Sequence, residues 1–546
     1  MGRGDVSGSL ADGRTGGNER VCDYACGILL AGLLPLVALT FRDYGISNDE
    51  EVQHRYGELI VAYYSSGFAD RSLFDYKNLY LYGGLFDIVA VLLAKILPLD
   101  VYDLRHLLSA VIGVAGIGAT AAVARLIAGP RAGLIAALAL TLCGPWFGAM
   151  FNHTKDIPFA AAMIGAIYFL LRASRNFPRP RWGDLIGFGV LLGAATGLRA
   201  LGFLLIGYAG IAVMLAASRF WGAADGVKSA ASFAVRSGWR FIPVLALAYL
   251  IMIAAWPWAA QAPLNPLRAI FSFAHFHYEI RTIVGGEIYK MADVPWWYVP
   301  VYLAIKSPLL ILTGAACAIA FAVRPADGER DGGRRRIDVA FIAFVAMFPV
   351  FCEMVTEGPA FTGMRHFLFV MPPLAVLSGI GFDALLRSLQ PWRIARTVAV
   401  VALAAALTWN AALLVRLHPY EYMFYNSLVG GLQGAERRYE MDYWVNMMPE
   451  AVQALQNYLN LAHEKSPRTY TVGVCGERFS FENYADKRLQ ASPGWLEADF
   501  YIAPTHMNCD RLVEGRVIAK IERLGVTIGV VKDRRGVTQK ALGRAF

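Results

Sequence analysis

A small set of charged and imidazole side chains interrupts a strongly apolar chain. Asp49, Glu50 and Glu51 stand together in "YGISNDEEVQHRYGELI", with Lys77 further along; Lys155 and Asp156 lie in "FNHTKDIPFA". Arg199 lies in "TGLRALG", His275, His277 and Glu279 in "FAHFHYEIRTIVGGE", and Arg365 in "FTGMRHF". A carboxylate can take the proton of a hydroxyl, and guanidinium or ammonium groups can hold a phosphate. Together they suit displacement of a phosphate by an acceptor hydroxyl, with the carboxylate as base and the cations steadying the leaving group. Each residue also has a purely local reading. Ser47-Asn48-Asp49-Glu50 has capping-box spacing, with Ser47 at the N-cap and Glu50 reaching back to it. Asp156 ahead of Pro158 fits a helix start, and Arg199 and Arg365 fit interfacial anchors whose heads snorkel to water. His275 and His277, two residues apart, share no helical face, and without a fixed third ligand they define no metal site.

The elements that carry these residues decide between the readings. The chain has 546 residues, 56% hydrophobic and 17% charged, with mean hydropathy +0.44. A soluble domain carries about 25% charged residues, so most of this chain must face lipid. Apolar runs of spanning length are expected near 24–41, 104–127, 131–149, 157–174, 184–197, 201–218, 241–258, 301–323, 338–355, 366–386 and 395–413. The run 83–97 is short and carries Asp87 and Lys95, and is read as a juxtamembrane helix. The apolar residues Val52, Tyr56, Leu59, Ile60 and Tyr63 recur at helical spacing and predict an amphipathic helix on the membrane surface.

The formal charge of +9 resides in short loops between these runs, near 125–131, 172–181, 219–240, 324–336 and 387–396, and is no nucleic-acid signal. By the positive-inside rule those loops are cytoplasmic. The segments near 42–103, 150–156, 198–200, 259–300 and 356–365 then face outward, so the residues named above share one level at the outer boundary. Trp256, Trp258, Trp296 and Trp297 fit an aromatic belt there, or a stacking surface for a sugar. Residues 1–20 are polar and Gly-rich and read as a disordered cytoplasmic tail, 21–414 as the membrane domain, and 415–546 as a small external α/β domain. In that last domain "TYTVGVCG", "ADFYIAP" and "VTIGVVKD" predict buried strands and "MPEAVQALQNYLNLAHE" a helix. Cys475 and Cys509 both fall there and either pair or stay free.

An Asp-Glu pair in a long first external loop, a lone Asp before a Pro in the second, the basic residue of "TGLRALG" and an Arg opening "MRHFLFVMPPLAVLSGIG" together resemble GT-C glycosyltransferases. The chain is most similar to the bacterial branch related to protein O-mannosyltransferases, the aminoarabinose transferase of lipid A and rhizobial galacturonosyltransferases. The resemblance covers roughly residues 24–390. It implies a polytopic α-helical GT-C fold with about eleven transmembrane helices, juxtamembrane helices and a small C-terminal external domain. It also implies an inner-membrane enzyme that moves a sugar from a polyprenyl-phosphate donor to a periplasmic lipid, glycan or protein acceptor. By it Asp49 is the catalytic base with Glu50 beside it, Asp156 a second acid, and Arg199 and Arg365 lie near the lipid phosphate. Lys77 and Lys155 are further phosphate contacts, and His275, His277 and Glu279 are sugar or acceptor contacts.

Two departures qualify the expectation. The family's Lys-Pro-Pro ahead of the juxtamembrane helix is replaced by "YKNLYLYGG", where Lys77 keeps the charge on a changed backbone. The zinc of some relatives rests on a carboxylate beside that lysine. Tyr76 stands there, so no metal ligand is assigned, no cofactor is expected as certain, and a divalent ion is left open. Glu51 is an extra acid after the Asp49-Glu50 pair and is an alternative base. The tail from "HPYEYMFYNSLVGG" to "YEMDYWVNMMPE" is assigned no chemistry; its aromatics either cover the site or touch the acceptor. The competing reading is a transporter or lipid flippase, which would place charged groups at mid-membrane on broken helices within a repeat. Here the charges stand at the outer ends and no repeat is visible.

Overall fold

The structure is a computed structural model describing residues 7–220, 225–274, 279–323, 332–356, 360–461 and 468–537. Helix α1 (Ser7–Thr40) enters the bundle, so the stretch read as an irregular tail is helical from Ser7 onward. α2 (Glu50–Ser65) and α3 (Leu85–Ala94) follow in the first long loop. α3 is too short to span, as its composition predicts. α2 buries Tyr56, Leu59 and Ile60 of the expected apolar stripe, but its buried face turns far enough to take in Glu50 and Gln53 as well.

The bundle continues with α4 (Val101–Ala128), α5 (Pro130–Thr141), α6 (Gly144–Asn152), α7 (Asp156–Ser174), α8 (Trp182–Thr196), α9 (Leu204–Ala217), α10 (Gly226–Gly238) and α11 (Ile242–Ala255). Short helices α12 (Pro257–Gln261) and α13 (Asn265–Ala274) lead to a hairpin of β1 (Arg281–Val284) and β2 (Glu287–Lys290). Gly285 and Gly286 make its two-residue turn at φ +66° and +94°, backbone that only glycine adopts freely. α14 (Tyr298–Lys306), α15 (Leu309–Val323), α16 (Gly332–Thr356), α17 (Met371–Ser388) and α18 (Arg393–Leu417) complete the membrane part.

Among the described residues eight helices are long and apolar enough to cross a membrane, or ten if each of two bent pairs is one span. α5 and α6 meet at 64°, and α14 and α15 at 107° around Ser307-Pro308, where proline removes a helix hydrogen bond. α8 is a shorter apolar helix. The eleven expected runs are thus all helical, two of them broken and one short. Basic loops pair with acids at one end of the bundle: Arg125 with Asp23, Arg172 with Asp184, and Arg131 and Arg387 with Asp383. The N-termini of α2, α7 and α17 lie at the other end.

After α18 the chain forms α19 (Gly431–Ala435), α20 (Met448–Leu461), β3 (Tyr470–Val474), α21 (Arg478–Tyr484), β4 (Leu489–Ala491), β5 (Phe500–Pro504), β6 (Arg516–Arg523) and β7 (Val526–Asp533). The sheet order is β4-β3-β5-β7-β6, with β3 parallel to β4 and β5 and β7 antiparallel to both β5 and the edge strand β6. The three strands expected from sequence are β3, β5 and β7, and the expected helix is α20. Cys475 and Cys509 are disulfide-bonded, with Cα atoms 6.5 Å apart. This domain rests on the first long loop: Ser480 Oγ donates to the Ile46 carbonyl at 3.0 Å and the Ile46 N–H to Tyr484 at 3.1 Å.

Candidate active site

Two carboxylate–guanidinium pairs form the centre of the site. Asp49, at the N-cap of α2, accepts from Arg365 Nη2 at 3.1 Å. Arg365 opens the turn before α17, and its side chain is 12% exposed while that of Asp49 is 44% exposed. The second pair joins Asp156, first residue of α7, to Arg199 in the loop after α8. That loop is held by close backbone contact: a Cβ on Gly83 would collide with the Gly197 carbonyl, and one on Gly197 would crowd Ala255. Beside it the Leu85 N–H donates to the Gly197 carbonyl at 3.2 Å. Arg199 Nε has no hydrogen-bond partner and is buried, so a donor is left over in this pair.

The pairs are neighbours. Asp156 as well as Asp49 acts on Arg365, while His153 lies within the field of both arginines. Helix-start positions favour acids here through the peptide dipoles, and Asp156 is in the first turn of α7. Lys155 is buried, its ammonium 4.7 Å over the Tyr82 ring. Burial pushes its pKa down, with nearby Asp87 opposing.

A lid of aromatics comes from the C-terminal segment. The Arg365 guanidinium lies 4.3 Å over the Trp444 ring, within cation–π range. Trp444 Nε1 donates to His153 Nε2 at 2.6 Å. Indole is a donor only, so Nε2 of His153 is unprotonated and Nδ1 carries the hydrogen, facing Asn152 Oδ1 at 2.8 Å. Tyr443 is also 2.8 Å from that Nε2. Burial, reinforced by Arg365 and Arg199, holds the His153 pKa well below its usual value, so the ring stays neutral. Four residues before Trp444, Glu440 ties this segment to β1: its Oε1 accepts from Thr282 at 2.5 Å and from the Ile283 N–H at 3.2 Å. Sequence reasoning assigned this segment no chemistry; its aromatic density was the available signal.

Other expected site residues lie elsewhere. Glu50 is buried and turned inward: its Oε2 accepts from the Ser47 N–H at 2.8 Å and sits 3.1 Å from His106 Nε2, with Arg105 4.0 Å from its other oxygen. Only this half of the expected capping box forms, because the Ser47 hydroxyl is left without a partner. Arg105 in turn binds Asp87 at 2.8 Å and Thr154 at 3.1 Å, tying the Asp49 and Asp156 loops to one buried network. Lys77 is exposed at φ +51°, on the solvent side of Asp49 with Glu51 and Glu477. Burial raises the Glu477 pKa, and Lys77 pulls it partly back. Glu279 is 94% exposed, and its ion pair is with Lys290 at 4.0 Å rather than with either arginine. His275 and His277 lie outside the described residues. Among the described residues no three His, Cys, Asp or Glu side chains converge to hold a metal ion.

Residues 104–258, which carry Asp156, Arg199 and helices α4 to α11, match the family model of dolichyl-phosphate-mannose-protein mannosyltransferases. No curated protein matches the chain. Among solved structures the chain is similar to ArnT from Cupriavidus metallidurans bound to undecaprenyl phosphate, at 16% identity and TM-score 0.49 over 92% of this chain and 97% of that one. It is also similar to the Archaeoglobus fulgidus oligosaccharyltransferase in the apo form, at 12% identity and TM-score 0.46 over 87% and 69%. A third, AglB from the same organism with an inhibitory peptide and dolichol-phosphate, gives 14% and 0.47 over 86% and 65%. The family match falls on the stretch that carries Asp156 and Arg199, so what this stretch resembles is a mannosyltransferase family that uses a lipid-phosphate sugar.

Proposed function

We propose that the enzyme transfers one sugar from a polyprenyl-phosphate donor to an acceptor hydroxyl on the periplasmic side of the inner membrane. The observation that carries this reading is the meeting of Asp49–Arg365 with Asp156–Arg199, four residues from separate segments, at one end of the bundle. Asp49, the more exposed carboxylate, takes the acceptor's hydroxyl proton. The oxygen bonds to the anomeric carbon as that carbon's bond to the phosphate oxygen breaks, and the electron pair leaves with the polyprenyl phosphate. One displacement inverts the anomeric centre. Arg365 and Arg199 exchange a carboxylate contact for the phosphate as its charge grows, which suits the guanidinium fork. Asp156, freed from part of its pairing, orients the acceptor. Lys155 adds positive charge from beneath and Lys77 from the solvent side. Glu50 acts by holding the Asp49 loop rather than by touching substrate. No step is routed through a metal.

The gathering of the basic loops at the opposite bundle end supports a periplasmic site, with residues 415–546 as an external domain over it. The two broken spans are the feature a transport reading would use. Mass spectrometry of envelope lipids and glycans from cells with the native protein, with Asp49→Asn and with none separates the two. The native protein alone should add one sugar-sized increment. Identical glycans in all three, with altered uptake of a solute, would favour transport.

A further inference from the structure

Beyond the catalytic cleft, the geometry points to a second lipid site, a groove that takes an anionic phospholipid between α18 and the rest of the molecule. The groove has a volume of about 500 Å³, with Leu309 and Leu310 of α15 on one wall and Ala406, Trp409, Leu413 and Arg416 of α18 on the other. Its roof is polar, formed by Asn426, Ser427 and Gln433 with the Leu524 turn. From Ala406 to Arg416 the groove runs about 15 Å along the helix, about half of a 30 Å hydrocarbon core and so the depth of one leaflet. An apolar floor under a polar roof at the membrane boundary matches a lipid's own division.

α18 needs such a filler. Only Asn410, Leu414 and Leu417 of its 25 residues are buried, while Ile394, Val398, Val401 and Val415 are exposed to the bilayer. Arg416 selects the head group. It is exposed at the mouth and, among the described residues, has neither an ion pair nor a side-chain hydrogen bond. The nearby Arg437 and Arg523 are already committed to Asp510 and Glu450. A basic side chain at the membrane surface favours an anionic over a zwitterionic lipid by about fivefold. The groove shares no lining residue with the pocket around His153 and Arg365; the Tyr425 ring on its wall, with the Lys306 ammonium 3.9 Å over it, stands between them.

The test uses the full-length protein, purified in detergent and mixed with phosphatidylglycerol or phosphatidylcholine, with bound lipid counted by native mass spectrometry. Phosphatidylglycerol should be retained about fivefold more than phosphatidylcholine, Arg416→Gln should abolish that preference, and Leu413→Trp should exclude both lipids. Arg416 is exposed and outside the catalytic cleft, so its variant keeps the fold. Equal retention of the two lipids, or an unchanged preference in Arg416→Gln, overturns the proposal. So does displacement by polyprenyl phosphate, which would make the groove the donor's, or closure of this face by a second copy of the chain.

Discussion

Asp49 and Arg365 are 316 positions apart in sequence and 3.1 Å apart in space. A pair of this kind, partly screened from water, is worth more as a poised couple than as a stabiliser, because either member can exchange its partner for substrate. The Asp156–Arg199 pair behaves alike, so its two members should be strongly coupled in catalysis. Asp156→Asn and Arg199→Gln should each slow turnover, and the double variant should be little worse than the poorer single one. A coupling of about 0.5–3 kcal/mol in a double-mutant cycle is the expected value, and additive losses would show that the residues act apart. Trp444→Phe keeps a ring over Arg365 but removes the hydrogen bond to His153, so its loss should be small. Trp444→Ala removes both and should cost about 1–2 kcal/mol more of transition-state binding. Asp156 and Arg199 were legible because the alternation of basic loops put them at one level. Trp444 was not: its bond to His153 spans 291 positions, a distance over which no local pattern carries information.

At the scale of elements, the Asp49 loop is held from below and from above. Below it, Glu50 joins Arg105, His106 and Asp87 in a network with almost no solvent access. Glu50→Gln strips one charge from buried partners and should lower stability by about 3–5 kcal/mol, visible as an earlier thermal transition. Above it, His418 closes a latch between the segments after α1 and α18. Its Nε2 lies 3.0 Å from Asp43 and its Nδ1 2.8 Å from Glu421, which also accepts from Tyr44 at 3.0 Å. Two carboxylates on two ring nitrogens require the imidazolium. Burial works against that charge, but the bonds to Glu421 and Asp43 outweigh it and raise the pKa. The folded pKa lies above the unfolded value near 6.5, so the latch contributes fully below that pH and is lost as pH rises through the folded pKa. The thermal-midpoint gap between native protein and His418→Gln should therefore be widest in mild acid and narrow in alkali. A gap independent of pH would remove the charge from the account. The local pattern predicts a helix here with Ser47 at its N-cap, two residues ahead of the observed N-cap Asp49, and places Glu50 beside the base, since spacing alone does not tell which face of α2 meets α4.

For the whole molecule, apolar runs and charged loops made the bundle readable, down to the short α8 and the juxtamembrane α3. The 64° and 107° breaks were not readable, because proline at Pro145 or Pro308 marks a permitted bend without fixing its angle. The C-terminal sheet followed from its buried strands, while its docking on the first long loop depends on surfaces that come together only in the fold. Sidedness gives a direct check on the arrangement. In a variant lacking the five free cysteines, a single cysteine at Lys77 should react with an impermeant reagent from the periplasm. One at Arg393 should react only after permeabilisation, and the reverse pattern would invert the topology.

The central claim, that Asp49 is the base of a lipid-phosphate-dependent transfer, meets its most direct test in release of polyprenyl phosphate by purified protein supplied with envelope extract and donor. Asp49→Asn should release it at least about 100-fold more slowly, while still binding the donor lipid as tightly as the native protein. Release at the native rate in Asp49→Asn, or its loss in Glu51→Gln instead, would contradict the claim.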